Sequence, residues 1–87
     1  MLSNTVLVGN IKNISQNIMV VDVRSKDNED KYDSIPIKLS ENLYNTIHKY
    51  SNLGDYIGVK GRLANEDGMI VVVADKITLL SSTKGGD

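Results

Sequence analysis

Asp33-Ser34-Ile35-Pro36-Ile37-Lys38-Leu39-Ser40, then Glu41 to Tyr50, then Gly54-Asp55-Tyr56-Ile57-Gly58-Val59-Lys60-Gly61-Arg62-Leu63 reads as strand, helix, strand. Ile35, Ile37 and Leu39 alternate with Ser34, Pro36 and Lys38, the period of a strand with one buried face. Pro36 has no N–H to give to a ladder, which places it at a sheet edge, a bulge or a barrel rim. After Leu39 the period lengthens. Leu43, Ile47 and Tyr50 recur at helical spacing, Ser40 can cap the first turn, and Glu41 suits the helix dipole, so a helix is expected from about Ser40 to Tyr50, with its apolar face closing one end of a barrel. Gly54 and Asp55 turn the chain. Ile57, Val59, Gly61 and Leu63 then alternate with Tyr56, Gly58, Lys60 and Arg62 as the next strand. Glycines inside a strand mark a bend, a bulge or close backbone approach.

Outward from this block the chain is strands and turns. Val6 and Val8 alternate until Gly9, beyond which Ile11 and Ile14 fall on a displaced period while Leu7 has the opposite parity; a bulge at Gly9 accounts for the displacement. Ser15-Gln16-Asn17 connects to a second strand in which Met19, Val21 and Val23 face inward and Val20, Asp22 and Arg24 outward. Ser25 to Asp30 is a polar turn. On the other side, Asn65-Glu66-Asp67-Gly68 is an Asp-Gly hairpin turn leading into a long apolar strand from Met69 to Leu80. Asp75 shares the parity of Val71, Val73, Ile77 and Leu79, so either the strand leaves the barrel there or the alternation breaks near Ala74. We expect one domain over residues 1–80 and a mobile tail over 81–87 with no apolar anchor.

Strand, strand, strand, helix, strand, strand is the order of an OB-fold, an all-β five-stranded Greek-key barrel with one helix between its third and fourth strands. Composition agrees. The 87 residues hold no Cys, Phe or Trp and only four Tyr, so the core is built from branched aliphatics that favour strands. The absence of cysteine removes disulfides, thiolate metal sites and cysteine nucleophiles, and fits a cytoplasmic protein. No apolar run approaches the ~20 residues that span a bilayer, so no membrane is expected. With 10 Lys and Arg against 11 Asp and Glu, the net charge is −1, and any nucleic-acid site has to concentrate positive charge locally.

Asn4-Thr5-Val6-Leu7-Val8-Gly9-Asn10-Ile11, Ile35-Pro36, Glu41-Asn42-Leu43, Gly54 to Leu63 and Val72-Val73-Ala74-Asp75-Lys76-Ile77 resemble the bacterial single-stranded DNA-binding proteins over nearly the whole chain. Primosomal replication protein N is a related dimeric OB protein of similar size. The resemblance implies single-stranded DNA as partner, assembly as a homodimer or homotetramer, and work alongside replication proteins in replication, recombination or a mobile element. It also places base-stacking aromatics just before the Ile-Pro pair and at the helix start, where this chain has Ser34 and Ser40. The loops at 14–18 and 65–68 are short, and the chain lacks a long linker with an acidic tip, so recruitment of partner enzymes by that route is not expected.

On the outer face of the second and third strands, Arg24 and Lys38 are candidates for phosphates and Tyr32 for a stacked base, with Ser34 between them. Lys12, Lys26, Lys60 and Arg62 extend the candidate basic track. Read from the residues alone, a solvated β surface is the favoured account of this face, and the family resemblance brings the two accounts level. Asp27, Glu29, Asp30 and Asp33 lack the Gly and bidentate Glu of a calcium loop, and His48 has no second ligand, so no metal or other cofactor is expected. No nucleophile has a plausible base, so an enzyme is not expected. Tyr44, Tyr50 and Tyr56 are expected to cap the barrel or cover an oligomer contact. Two readings follow: a sequence-nonspecific single-stranded DNA-binding protein, or an OB module that acts through protein contacts.

Overall fold

The computed structural model describes residues 4–25, 27 and 30–81. Its elements are β1 (Asn4–Ser15), β2 (Ile18–Arg24), β3 (Tyr32–Lys38), α1 (Glu41–Tyr50), β4 (Tyr56–Glu66) and β5 (Met69–Leu79). The strands close a barrel in the order β1-β2-β3-β5-β4, with β4 returning to β1. Every pairing is antiparallel except the short parallel contact of β3 with β5 at Ile37–Val72 and Lys38–Val73. This is the expected OB topology, with the helix between the third and fourth strands. Pro36 sits opposite Val20, on the part of β3 that precedes its contact with β5, where a missing N–H leaves no ladder broken on that side.

Long β1 serves two partners. Its first half, Asn4–Asn10, pairs with β4, and its second half, Asn10–Ser15, with β2. The strand must bend to do so, and the bulge lies at Lys12, between Ile11 and Asn13, not at Gly9 as the alternation suggested. Placing the extra residue there changes the faces. Leu7 packs against the core and Gly9 and Ile11 are buried, whereas Val6 is 71% exposed and Val8 lies outside with it. Leu7 is therefore an inward residue, contrary to the outward placement that its parity implied. Gly9 marks a close approach instead: a Cβ there would lie 2.3 Å from the Asp22 carbonyl oxygen. In β5 the alternation breaks at Asp75. Lys60 pairs with Lys76 but Gly61 with Ala74, so Asp75 is bulged outward while Val72, Ala74 and Ile77 reach the core. A Cβ on Gly61 would fall 2.2 Å from the Val73 carbonyl oxygen, so the bulge requires a glycine opposite it.

Met19, Val21, Ile37, Leu39, Ile57 and Val59 fill the barrel, and Ile47 joins them from α1 with no exposed surface. The helix begins where its sequence says it should, with the Ser40 Oγ accepting from the Leu43 N–H at 3.2 Å. Leu43 and Tyr44 pack beside Ile47. Tyr50, expected on the same face, is half exposed under the Lys49 ammonium, because it lies in the final turn beyond the barrel's rim of side chains. Leu63, expected inside, is also half exposed; it lies beyond the point in the β4–β5 ladder where Asp75 bulges out of β5. The β4–β5 hairpin turns at Asp67 and Gly68, both with positive φ, the geometry an Asp-Gly pair supplies. The segment after the helix is tied to β1: the Gly54 N–H donates to the Ile11 carbonyl, the Ile11 N–H to the Asp55 carbonyl, and the buried Asp55 carboxylate accepts from the Asn52 N–H.

Candidate nucleic-acid interface

β1 and β2 separate after the pair Asn10–Asp22, while β2 and β3 stay together as far as Arg24–Tyr32. The space between the parting strands is a cleft of about 330 Å³ on the barrel's outer surface. Val8, Gly9 and Asn10 supply one wall from β1 and Asp22 and Arg24 the other from β2, with Tyr32 and Tyr56 at the ends. Tyr56 is there because it opposes Asn10 in the β1–β4 ladder, and its backbone is pinned by the end of β5, where Leu80 and Ser81 N–H groups reach its carbonyl and Ser81 Oγ accepts from its N–H. Both rings are nearly half exposed.

Arg24 is held by a neutral partner. Its Nη2 donates to the Tyr32 hydroxyl at 3.1 Å and its guanidinium lies 5.6 Å from the centre of the Tyr32 ring. That hydrogen bond raises the guanidinium above its ordinary range, so the charge is present at every physiological pH. Three or more of its five N–H groups remain for a ligand. Beside it a polar chain crosses the sheet: Lys12 Nζ donates to Ser34 Oγ at 3.4 Å and Ser34 donates to Asp22 Oδ1 at 2.7 Å. The bulge at Lys12 is what turns this lysine onto the same face as Ser34.

The sequence candidates divide by what already holds them. Arg24 and Tyr32 line the cleft, while Ser34 and Lys12 lie beside it, joined to its Asp22 through the Ser34 hydroxyl. Lys38 donates to Glu66 at 2.6 Å and Arg62 to Asp75 at 3.3 Å, so two of the cations carry a carboxylate of their own. Lys60 stands on the outer face of β4 between Val6 and Lys76, one ladder step or more from the cleft. Lys26 lies outside the described residues, as do residues 82–87 of the expected tail. Sequence reasoning missed Asn10 and Tyr56. The only signal for either was its outward parity, because the register that sets them side by side joins segments far apart in the chain. Tyr44, by contrast, packs on the core and stacks with His48 at 5.8 Å.

Solved structures share this OB barrel. The chain superposes on the mitochondrial single-stranded DNA-binding protein Rim1 of S. cerevisiae with a TM-score of 0.80 at 19% identity, covering 94% of this chain and 98% of that one. A second form of Rim1 gives 0.74 at 21% identity over 98% and 100%. The N-terminal domain of PriB from Thermoanaerobacter tencongensis, solved as a dimer, gives 0.72 at 18% identity over 92% and 98%. No protein-family model and no curated protein sequence matches the chain. Among the described residues, no helix is long and apolar enough to cross a membrane.

Proposed function

We propose that this protein binds single-stranded DNA without sequence specificity, as a non-enzymatic, cytoplasmic member of the bacterial single-stranded DNA-binding group acting in replication, recombination or a mobile element. The observation that carries the proposal is the Arg24–Tyr32 pair. It sets a permanent cation and an exposed ring at a cleft on the outer surface of an OB barrel, and a single strand needs both: charge for the phosphates and a π-face for its bases. The likeness to Rim1, described as a single-stranded DNA-binding protein, supports the same reading. Binding is modest, because Ser34 and Ser40 offer no stacking and two of the candidate cations are internally paired. If Arg24, Lys12 and one further lysine meet phosphates, the logarithmic salt slope for oligo-dT is roughly −2. Fluorescence anisotropy with labelled oligo-dT at low and moderate salt tests this; no binding at low salt refutes it.

Self-association as a homodimer or homotetramer belongs to the same proposal. Val6 and Val8 form an apolar strip on the outside of β1 next to Gly58, and the PriB domain was solved as a dimer. Light scattering at tens of micromolar giving a monomer removes this part. A protein-contact module remains the second reading, favoured by the exposed Leu63, Met69 and Ile70 on the β4–β5 hairpin, and replication proteins are its natural partners.

A further inference from the structure

The cleft between β1 and β2 carries more than charge and rings. Asp22 and Asn10 are direct partners across the two strands, and Arg24 is two residues beyond Asp22 on the same face. Asp22 gives Oδ1 to Ser34, and its Oδ2 accepts no hydrogen bond from any described residue. The Asn10 amide is oriented by its Nδ2, which donates to the Gly54 carbonyl at 2.9 Å; only the NH₂ end can do so, which leaves Oδ1 as a second acceptor. Arg24 has N–H groups to spare after Tyr32. The cleft thus offers donor, acceptor, acceptor in the order Arg24, Asp22, Asn10, the first two from β2 and the third from its partner position on β1.

Nucleobase edges differ in this order. Guanine presents O6, N1–H and N2–H₂, an acceptor followed by two donors, which is the complement. Cytosine presents a donor followed by two acceptors, the reverse. Thymine has one donor between two carbonyls, so that one carbonyl meets the Asn10 oxygen, and adenine has no acceptor to offer Arg24 while its ring nitrogen faces a carboxylate. A cleft of about 330 Å³ is at the small end of ligand pockets and suits one base, with Tyr32 and Tyr56 at its ends as surfaces for the ring.

We infer that this cleft is a guanine-selective subsite within an otherwise sequence-tolerant single-strand track, with Arg24 on O6, Asp22 on N1–H and Asn10 on the N2 amine. The inference rests on the DNA-binding reading. It is tested with the intact protein and labelled oligo-dT in which one central thymine is replaced by guanine, inosine or cytosine. The guanine oligomer binds about 5- to 20-fold tighter than all-thymine DNA, the range expected for matched against mismatched edge contacts. Inosine, which lacks the N2 amine, falls between them, and Asp22→Asn brings the ratio of guanine to all-thymine affinity down to about one, whatever it does to the all-thymine affinity itself. If wild-type protein binds all-thymine DNA yet gains nothing from guanine, the subsite is refuted and the DNA reading stands. Failure to bind any oligomer at low salt refutes both. A guanine advantage that persists in a folded Asp22→Asn protein places the selectivity elsewhere and overturns the assignment to this cleft.

Discussion

Two cationic regions of the barrel look alike in sequence and differ in what surrounds them. Lys38 of β3 and Arg62 of β4 each face a carboxylate of the β4–β5 hairpin, Glu66 and Asp75. At the cleft Arg24 faces the Tyr32 hydroxyl, and beside the cleft Lys12 faces that of Ser34. A hydroxyl fixes the position of a cation without cancelling its field, whereas a carboxylate does both. A phosphate that approaches the hairpin has to displace an existing partner; one that approaches Arg24 does not. Nominal charge therefore overstates the hairpin, and the difference between Arg24 and Arg62 is one of neighbours rather than of residue type.

The harshest way to break the comparison is to remove the scaffold that both regions share. Ile47 is fully buried among the barrel residues, and Ile47→Asp places an unpaired carboxylate there at a cost of several kcal/mol against a total of ~5 to 10 for a domain of this size. The variant is expected to be unfolded by circular dichroism, and an unchanged melting temperature refutes the packing of the helix on the barrel.

The two regions next come apart at their glycines. Gly9 and Gly61 both press on a partner carbonyl, at 2.3 and 2.2 Å from a notional Cβ, so either Gly→Ala change forces backbone apart and costs about 1–3 kcal/mol. Gly9 lies in the cleft and Gly61 opposite the Asp75 bulge. Thermal melts should therefore fall for both variants, while affinity of the folded protein for oligo-dT falls for Gly9→Ala alone. Equal loss of affinity means that the cleft is not the binding surface.

Side-chain removal sharpens the contrast further. Tyr32→Ala takes away a stacking ring and the partner that orders Arg24, and is expected to weaken oligo-dT binding by ~1–3 kcal/mol at every salt concentration. Arg62→Ala, whose guanidinium already has Asp75, should change the affinity by only a few tenths of a kcal/mol, close to the worth of an exposed ion pair. Anisotropy titrations of the two proteins side by side decide between them, and the reverse order of effects removes the argument from neighbours.

The smallest effect is at Lys38. Its pair with Glu66 is partly exposed on both sides, so Lys38→Ala should shift stability by about 0–1 kcal/mol and leave the salt slope of DNA binding nearly unchanged. A slope that drops by a full phosphate equivalent would show that Glu66 yields its partner to DNA.

What the sequence determined by itself is local. Alternation in Met19-Val20-Val21 and Ile35-Pro36-Ile37, the Ser40 cap, the helical spacing of Leu43 and Ile47 and the Asp67-Gly68 turn each depend on residues a few positions apart, and together they ordered the elements of an OB barrel. Tertiary structure decided whatever depends on register between distant segments. The bulges fell at Lys12 and Asp75, and the first of them turned Leu7 inward and Val6 outward. Gly9 and Gly61 were visible as breaks in the pattern, but nothing local says which neighbouring carbonyl will crowd them. The cleft needed four strands at once, with Tyr56 beside Asn10, Asn10 beside Asp22, and Arg24 beside Tyr32. The same holds for the cations: the hydroxyl or carboxylate that sets each one's availability is brought to it by pairing across the barrel, and the chain around Lys38 or Arg24 carries no sign of it.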